Sequence, residues 1–292
     1  MVLLNIEGSI RRRSKGPDSL SRGSVQVRGE NIYYEASGSV EEGPTILFLH
    51  ESGGSAATWQ GQLAGLAPGV RCLAPDLPGH GRSEGKGCGT VAEYRRVVLE
   101  FMDTLALRWP VIIAGACLGA AVAVDMAIHA PERVHGLILA GLCDGGRACV
   151  QTLSDAARGE ALDGFVQDLF SGHTAQRLVG DHLKQWRLTS PLVRHGDLVA
   201  LAGYSLSEAL RRVKPPVVLI AGGHDSLATT QWAYAAAEEM PNACAIEIPD
   251  AGCLSMAEQP AAFNRIVLGF LSGLAPACPV ALGARPGGYR RF

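Results

Sequence analysis

The stretch Val111-Ile112-Ile113-Ala114-Gly115-Ala116-Cys117-Leu118-Gly119-Ala120-Ala121-Val122-Ala123 constrains the fold of this chain more than any other. An apolar run enters a tight turn flanked by two glycines and leaves it as a second run of small residues. That pattern predicts a strand, a sharp turn and a helix. Small neighbours let the backbone adopt a strained turn that holds one side chain, here the Cys117 thiol, above the edge of a parallel sheet; the Gly-x-Cys-x-Gly spacing is that of a nucleophile elbow. The other reading of the same letters is a buried strand followed by a buried helix, with Cys117 acting as a small hydrophobe.

The rest of the chain repeats the alternation. Residues 45–50, 70–75, 134–142, 216–222 and 243–248 read as strands, and 56–66, 91–109, 229–240 and 258–274 carry helical patterns between or after them. Strands separated by helices build βαβ units and hence a mainly parallel sheet. Residues 24–27 and 32–36 read as an added hairpin. From 143 to 213 the strand patterns stop and amphipathic pieces carrying Phe165, Phe170, Trp186 and Tyr204 take over. Residues 143–213 are therefore expected to form a helical lid inserted into a core made of residues 25–142 and 214–273. Residues 1–24 and 274–292 offer little apolar surface to offset the entropy of ordering and are expected to be tails.

Composition narrows the partners. At 292 residues, of which 47% are hydrophobic and 18% charged, one large core is expected. With 26 basic against 28 acidic residues the chain has no field for nucleic acid or an anionic membrane, which leaves a small uncharged molecule as the expected ligand. No run reaches the ~18 apolar residues that a membrane span needs. The eight cysteines include no C-x-x-C pair and no zinc-ligand spacing, and no export signal precedes them, so a reducing, cytoplasmic location is expected, with no metal and no cofactor.

Five landmarks in fixed order carry a resemblance. They are Phe48-Leu49-His50 with Trp59 downstream, Asp76-Leu77-Pro78-Gly79-His80-Gly81-Arg82-Ser83, the Gly-x-Cys-x-Gly turn, Ile220-Ala221-Gly222-Gly223-His224-Asp225, and Ala251-Gly252-Cys253 followed by Glu258-x-Pro260. With them, residues 25–273 resemble the α/β-hydrolase superfamily, in its compact branch of esterases, lactonases, carbon–carbon bond hydrolases and small thioesterases. The resemblance implies an eight-stranded, mainly parallel sheet flanked by helices, a helical lid, and a triad in the chain order nucleophile, acid, histidine. Cys117 falls on the nucleophile position, Asp225 on the acid position and Cys253 on the histidine position. The last departure removes the group that takes the nucleophile's proton and later activates water.

A serine would be almost inert without that base, whereas a thiol of pKa ~8.5 is already a few per cent thiolate at neutral pH. A helix N-terminus favours the thiolate further. Glu51 follows His50 where this branch usually has glycine. Dienelactone hydrolases, a related family with a cysteine nucleophile, carry a glutamate on this loop, so the resemblance implies that Glu51 can take the thiol proton; the plainer reading is a solvated loop carboxylate. The backbone N–H groups of Leu118 and Ser52 are the oxyanion hole that the resemblance implies. Cys253 keeps three readings: an inert replacement that widens the pocket, a redox partner of Cys117, or part of a metal site with Asp225 and His224.

Other polar residues are read structurally. Asp76, His80, Arg82 and Ser83 read as a hydrogen-bonded loop. His173, His182 and His195 read as exposed helical residues, one of which reaches Cys117 if the lid folds over. Cys72, Cys88, Cys143, Cys149, Cys244 and Cys278 have no constellation around them. The expected activity is attack of Cys117 on a small thioester, ester or lactone to form an acyl-cysteine, followed by hydrolysis or acyl transfer. The alternative is a non-hydrolytic descendant that binds a small apolar molecule, or catalyses cyclisation or lyase chemistry, in the same cavity.

Overall fold

The computed structural model describes residues 20–38, 44–67, 69–107, 111–142 and 163–273. Eight strands make one sheet in the order β1 (Ser21–Val27), β2 (Glu30–Ser37), β4 (Arg71–Pro75), β3 (Thr45–Leu49), β5 (Val111–Ala116), β6 (Val134–Ala140), β7 (Val217–Gly222), β8 (Ala243–Ile248). The β1–β2 and β2–β4 pairs are antiparallel and all others parallel. A parallel strand covered on both faces needs apolar side chains at nearly every position, because successive residues point to opposite sides. In β3, Ile46 and Phe48 join a core with Trp59 and Phe263, while Leu47 and Leu49 join another with Phe101 and Val122.

Helices cover both faces: α1 (Gln60–Gly65), α2 (Val91–Thr104) and α3 (Leu118–His129), then, after β7, α8 (Thr230–Glu238), α9 (Ser255–Glu258) and α10 (Pro260–Ser272). Between β6 and β7 the described elements are helical, namely α4 (Asp163–Gln167), α5 (Gln176–Leu188), α6 (Pro191–Ala202) and α7 (Leu206–Leu210). Val166, Phe170 and Trp186 belong to the core on one face of the sheet, and Ala200, Leu206 and Ala209 to the core on the other. The insertion thus straddles the sheet.

Four boundaries differ from the sequence reading, each for a local reason. Residues 21–24 lie in β1 rather than in a tail, because the register Ser21↔Ala36 to Ser24↔Tyr33 gives their backbone partners that their side chains would not secure. Residues 56–66 split into a 3₁₀ turn, Ala56–Trp59, capped by the Ser55 side chain, and α1. Helix α2 stops at Thr104, just before Ala106 at φ 47°. The last helix divides at Gln259, since Pro260 has no N–H to continue α9 and instead opens α10 at its first turn. The expected lid residues 143–162 and tails 1–19 and 274–292 lie outside the described residues, as do Cys143, Cys149 and Cys278. No helix among the described residues is long and apolar enough to cross a membrane.

Candidate active site

Glycine at 115 and 119 is what lets β5 turn directly into α3. A Cβ on Gly115 would lie 2.3 Å from the Gly119 oxygen, and one on Gly119 would lie 2.1 Å from the Leu49 oxygen of β3. Only a bare backbone fits this close approach of strand, turn and helix. The residue between them bears the strain: Cys117 sits at φ 46°, ψ −105°, outside the regions that L-residues favour. Three hydrogen bonds hold it there. The Cys117 N–H donates to the Ala140 oxygen, and its own oxygen accepts from Ala120 and Ala121, each at 3.1 Å. Leu118 opens α3, where the first N–H groups have no acceptor within the helix.

Cys253, in the loop after β8, meets the elbow. Its Sγ lies 3.2 Å from Cys117 Sγ. Gly141, at φ +56° just after β6, makes the room: a Cβ there would stand 2.4 Å from Cys253 Sγ and 3.1 Å from Cys117 Sγ. Beyond Cys253 lies Asp225, buried at the end of β7. Burial pushes its carboxyl pKa up, and the N–H groups of Ala228 and Leu227 together with the Cys253 thiol oppose that rise by hydrogen bonding. Asp225 Oδ1 accepts both of those N–H groups at 2.8 Å, while Oδ2 has no donor at normal geometry among the described residues. Of the three residues expected at triad positions, Cys253 therefore touches Cys117 and lies close enough to Asp225 to act on its pKa.

Glu51 is not a solvated loop carboxylate. It is buried, and its Oε1 accepts from Thr58 Oγ1 at 3.0 Å and lies 2.7 Å from His182 Nε2 of α5. Burial alone would raise its pKa, but hydrogen bonding and charge from His182 outweigh that and leave it lowered. His182 therefore departs from the expectation of an exposed helical residue, while His173 and His195 are exposed. His224 is exposed too, its ring edge-on to His173 at 5.4 Å, so it does not share a metal site with Asp225 and Cys253. Among the described residues no group of three or more His, Cys, Asp or Glu side chains is placed to hold a metal ion.

Sequence reasoning missed Asp197, on α6. It is fully buried and gathers three donors: Ser52 Oγ at 2.7 Å, His80 Nε2 at 3.0 Å, and the Tyr94 hydroxyl. His80 Nδ1 faces the Pro78 oxygen at 3.0 Å, so both ring nitrogens face acceptors and the imidazolium is the form that fits. Burial works against that charge, but Asp197 more than offsets it and the His80 pKa is raised. His50 is the opposite case. Its Nε2 accepts the Leu77 N–H at 2.9 Å, which leaves Nδ1 to donate to the Glu51 oxygen at 2.7 Å, and burial with His80 nearby lowers its pKa to about 4. The signal for Asp197 was an acid on the apolar stripe Val193, Asp197, Ala200; for His182 it was the stripe Leu178, His182, Trp186.

The loop after β3 is held residue by residue from the insertion. Glu51 is bound by His182, Ser52 by Asp197, and Gly53 by the Trp186 ring, which a Cβ at 53 would strike at 2.1 Å, and by Thr189 Oγ1 on its oxygen at 3.3 Å. Below these contacts lies a largely apolar cleft that opens to solvent. Glu51, Ser52, Cys117, Gly141, Leu227 and Cys253 line it from the carboxyl ends of the strands, and Phe165, Leu169, Leu198, Leu201, Tyr204 and Leu206 from the insertion. Ligands of open parallel sheets bind at this end of the strands.

A mainly parallel eight-stranded sheet, a positive-φ residue on the strand-to-helix turn, and a cleft roofed by helices inserted after β6 define the α/β-hydrolase class of scaffold. Residues 46–266 match the model of the alpha/beta hydrolase family, and the chain belongs to that family. It is 29% identical to the pimeloyl-(acyl-carrier protein) methyl ester esterase of Pectobacterium carotovorum subsp. carotovorum over 82% of this chain and 98% of that protein. It is also 29% identical to the dihydrolipoyllysine-residue acetyltransferase component of the acetoin cleaving system of Cupriavidus necator, over 85% of this chain and 68% of that one. The enol-lactonase of Burkholderia xenovorans LB400 has the same fold, with a TM-score of 0.77 at 23% identity over 86% of this chain and all of that one.

Proposed function

We propose that the chain is an enzyme that takes the acyl group of a small thioester, ester or lactone onto Cys117 and passes it to water or another acceptor, with helices α4 to α7 as the lid. One observation carries the reading: Cys117 occupies the strained elbow position and opens into the cleft. Strain of ~1–3 kcal/mol persists only where surrounding structure enforces it, and it concentrates at working residues. The thiol attacks the acyl carbon, and charge building on the carbonyl oxygen is received by the Leu118 and Ser52 backbone N–H groups. Cys253 and Asp225 form the path by which the thiol proton leaves, and Glu51, which lines the same cleft, adds a second acceptor. A thioester suits this site best, because exchange between two sulfurs is nearly balanced and its thiolate leaving group needs little protonation. Among the described residues the hydrogen bond of the Cys117 thiol is to Cys253 and not to a histidine that could activate water, which favours transfer to an amine or thiol over hydrolysis. The esterase and lactonase names among the relatives fit a carboxylic acyl substrate.

Intact-protein mass spectrometry after exposure of the reduced chain to S-acyl N-acetylcysteamine thioesters and γ-lactones tests the proposal. A single acyl adduct is expected, and it disappears in Cys117→Ala. Absence of any adduct while thioester binding persists in both proteins overturns it, and leaves ligand binding in the apolar cleft as the role of the site.

A further inference from the structure

We propose that Cys117 and Cys253 are a redox couple that reduces small apolar hydroperoxides and closes to a disulfide in doing so. Two thiols with Sγ atoms 3.2 Å apart need only a modest side-chain movement to reach the ~2.05 Å of an S–S bond. Gly141 keeps the space between and around both sulfurs open, since any Cβ there would overlap Cys253 Sγ and crowd Cys117 Sγ. Both thiols line the same cleft, so an oxidant that enters it meets the pair together. The walls select the oxidant: Leu142, Leu169, Leu198 and Leu201 suit an alkyl or aryl hydroperoxide better than hydrogen peroxide.

The chemistry balances with these groups. The Cys117 thiol gives its proton to solvent and the thiolate attacks the terminal oxygen of R–O–O–H; the O–O bond breaks, an S–OH forms on Cys117, and RO⁻ departs toward the Leu118 and Ser52 N–H groups, which stabilise it until it takes a proton from solvent to become ROH. The Cys253 sulfur then attacks Cys117 Sγ and releases its proton to the neighbouring buried carboxylate of Asp225, whose Oδ2 has no donor at normal geometry among the described residues. The S–S bond forms, the S–O bond breaks, and hydroxide leaves with the proton from Asp225 as water. Two thiols and one hydroperoxide become one disulfide, one alcohol and one water, with two electrons moved from sulfur to oxygen. A dithiol reductant resets the pair.

The inference shares Cys117 with the acyl reading but needs no acyl chemistry, so the two fail separately: acylation is read on the reduced chain, oxidation on its thiols. The test treats the full chain, reduced and freed of reductant, with stoichiometric cumene hydroperoxide or hydrogen peroxide. Expected is a product ~2 Da lighter with two of eight thiols lost, a Cys117–Cys253 peptide on mapping, recovery with dithiothreitol, and a rate at least about tenfold higher for cumene hydroperoxide. Cys253→Ser is expected to stop at a product ~16 Da heavier whose Cys117 reacts with dimedone, and Cys117→Ser to leave Cys253 unoxidised, with near-ultraviolet circular dichroism reporting that both variants are folded. An unchanged thiol count in the native chain, or a disulfide mapped elsewhere, overturns the couple. Equal rates for the two peroxides overturn the assignment of an apolar oxidant.

Discussion

Asp197 and Asp225 are both carboxylates buried at the carboxyl edge of the sheet, and they differ in how their oxygens are occupied. Asp197 has side-chain donors on both oxygens, from β3's loop, from the segment after β4 and from α2. Asp225 has two backbone N–H groups on one oxygen, while the other has no donor at normal geometry among the described residues. A saturated buried network rigidifies what it joins, whereas one left partly open has capacity for a proton or a ligand. The first cluster is accordingly a brace between insertion and core, and the second leaves an oxygen open beside the site of the proposed chemistry.

The largest effect that separates them is on stability. Asp197→Ala leaves an imidazolium and two hydroxyls buried without their acceptor, and is expected to cost about 3–5 kcal/mol in equilibrium urea unfolding. Asp225→Ala is expected to cost less than half as much; equal losses would break the contrast. Next comes pH. The folded pKa of His50 is depressed to about 4, so its contribution is present above the ordinary value near ~6.5 and lost as pH falls toward 4, on the order of 3 kcal/mol. The His80 pKa is raised, so its contribution is present below ~6.5 and lost as pH rises through its folded value. Unfolding curves across this range should show both limbs in the native chain, and Asp197→Ala should flatten the alkaline limb while keeping the acid one.

Smaller effects address the thiol cluster. Gly141→Ala puts a methyl group onto both sulfurs at a positive φ and is expected to lower stability by about 1–3 kcal/mol while slowing acylation of Cys117. An unchanged acylation rate would detach Gly141 from the site. The smallest change has the opposite sign: Cys117→Gly relieves the backbone strain at φ 46° and is expected to raise stability by about 1 kcal/mol while abolishing acylation, as read by thermal unfolding and mass spectrometry. A loss of stability would mean that the elbow is not strained.

The architecture was legible because it rests on local constraints. Gly115 is needed by a close approach to the Gly119 backbone that the short interval between them dictates, and the apolar runs of β3, β5 and β7 need no partner to be recognised as buried. The positions expected for Cys117, Asp225 and Cys253 came from the order of landmarks. Asp197 and His182 did not follow, because the stripes that carry them indicate burial but not the partner, and those partners lie 117 and 131 positions away in His80 and Glu51. Nothing in the local sequence around Glu51 distinguished a solvated carboxylate from one held under a helix. Pairings of this kind depend on how the insertion settles on the sheet, which is a property of the whole chain.

That settling carries a consequence for timing. His182, Trp186, Thr189 and Asp197 grip Glu51, Ser52 and Gly53 together. A displacement of α5 or α6 large enough to admit a ligand therefore also shifts the Ser52 backbone. Under the proposed acyl chemistry, entry by such a displacement and reaction at the Ser52 N–H are successive rather than simultaneous events.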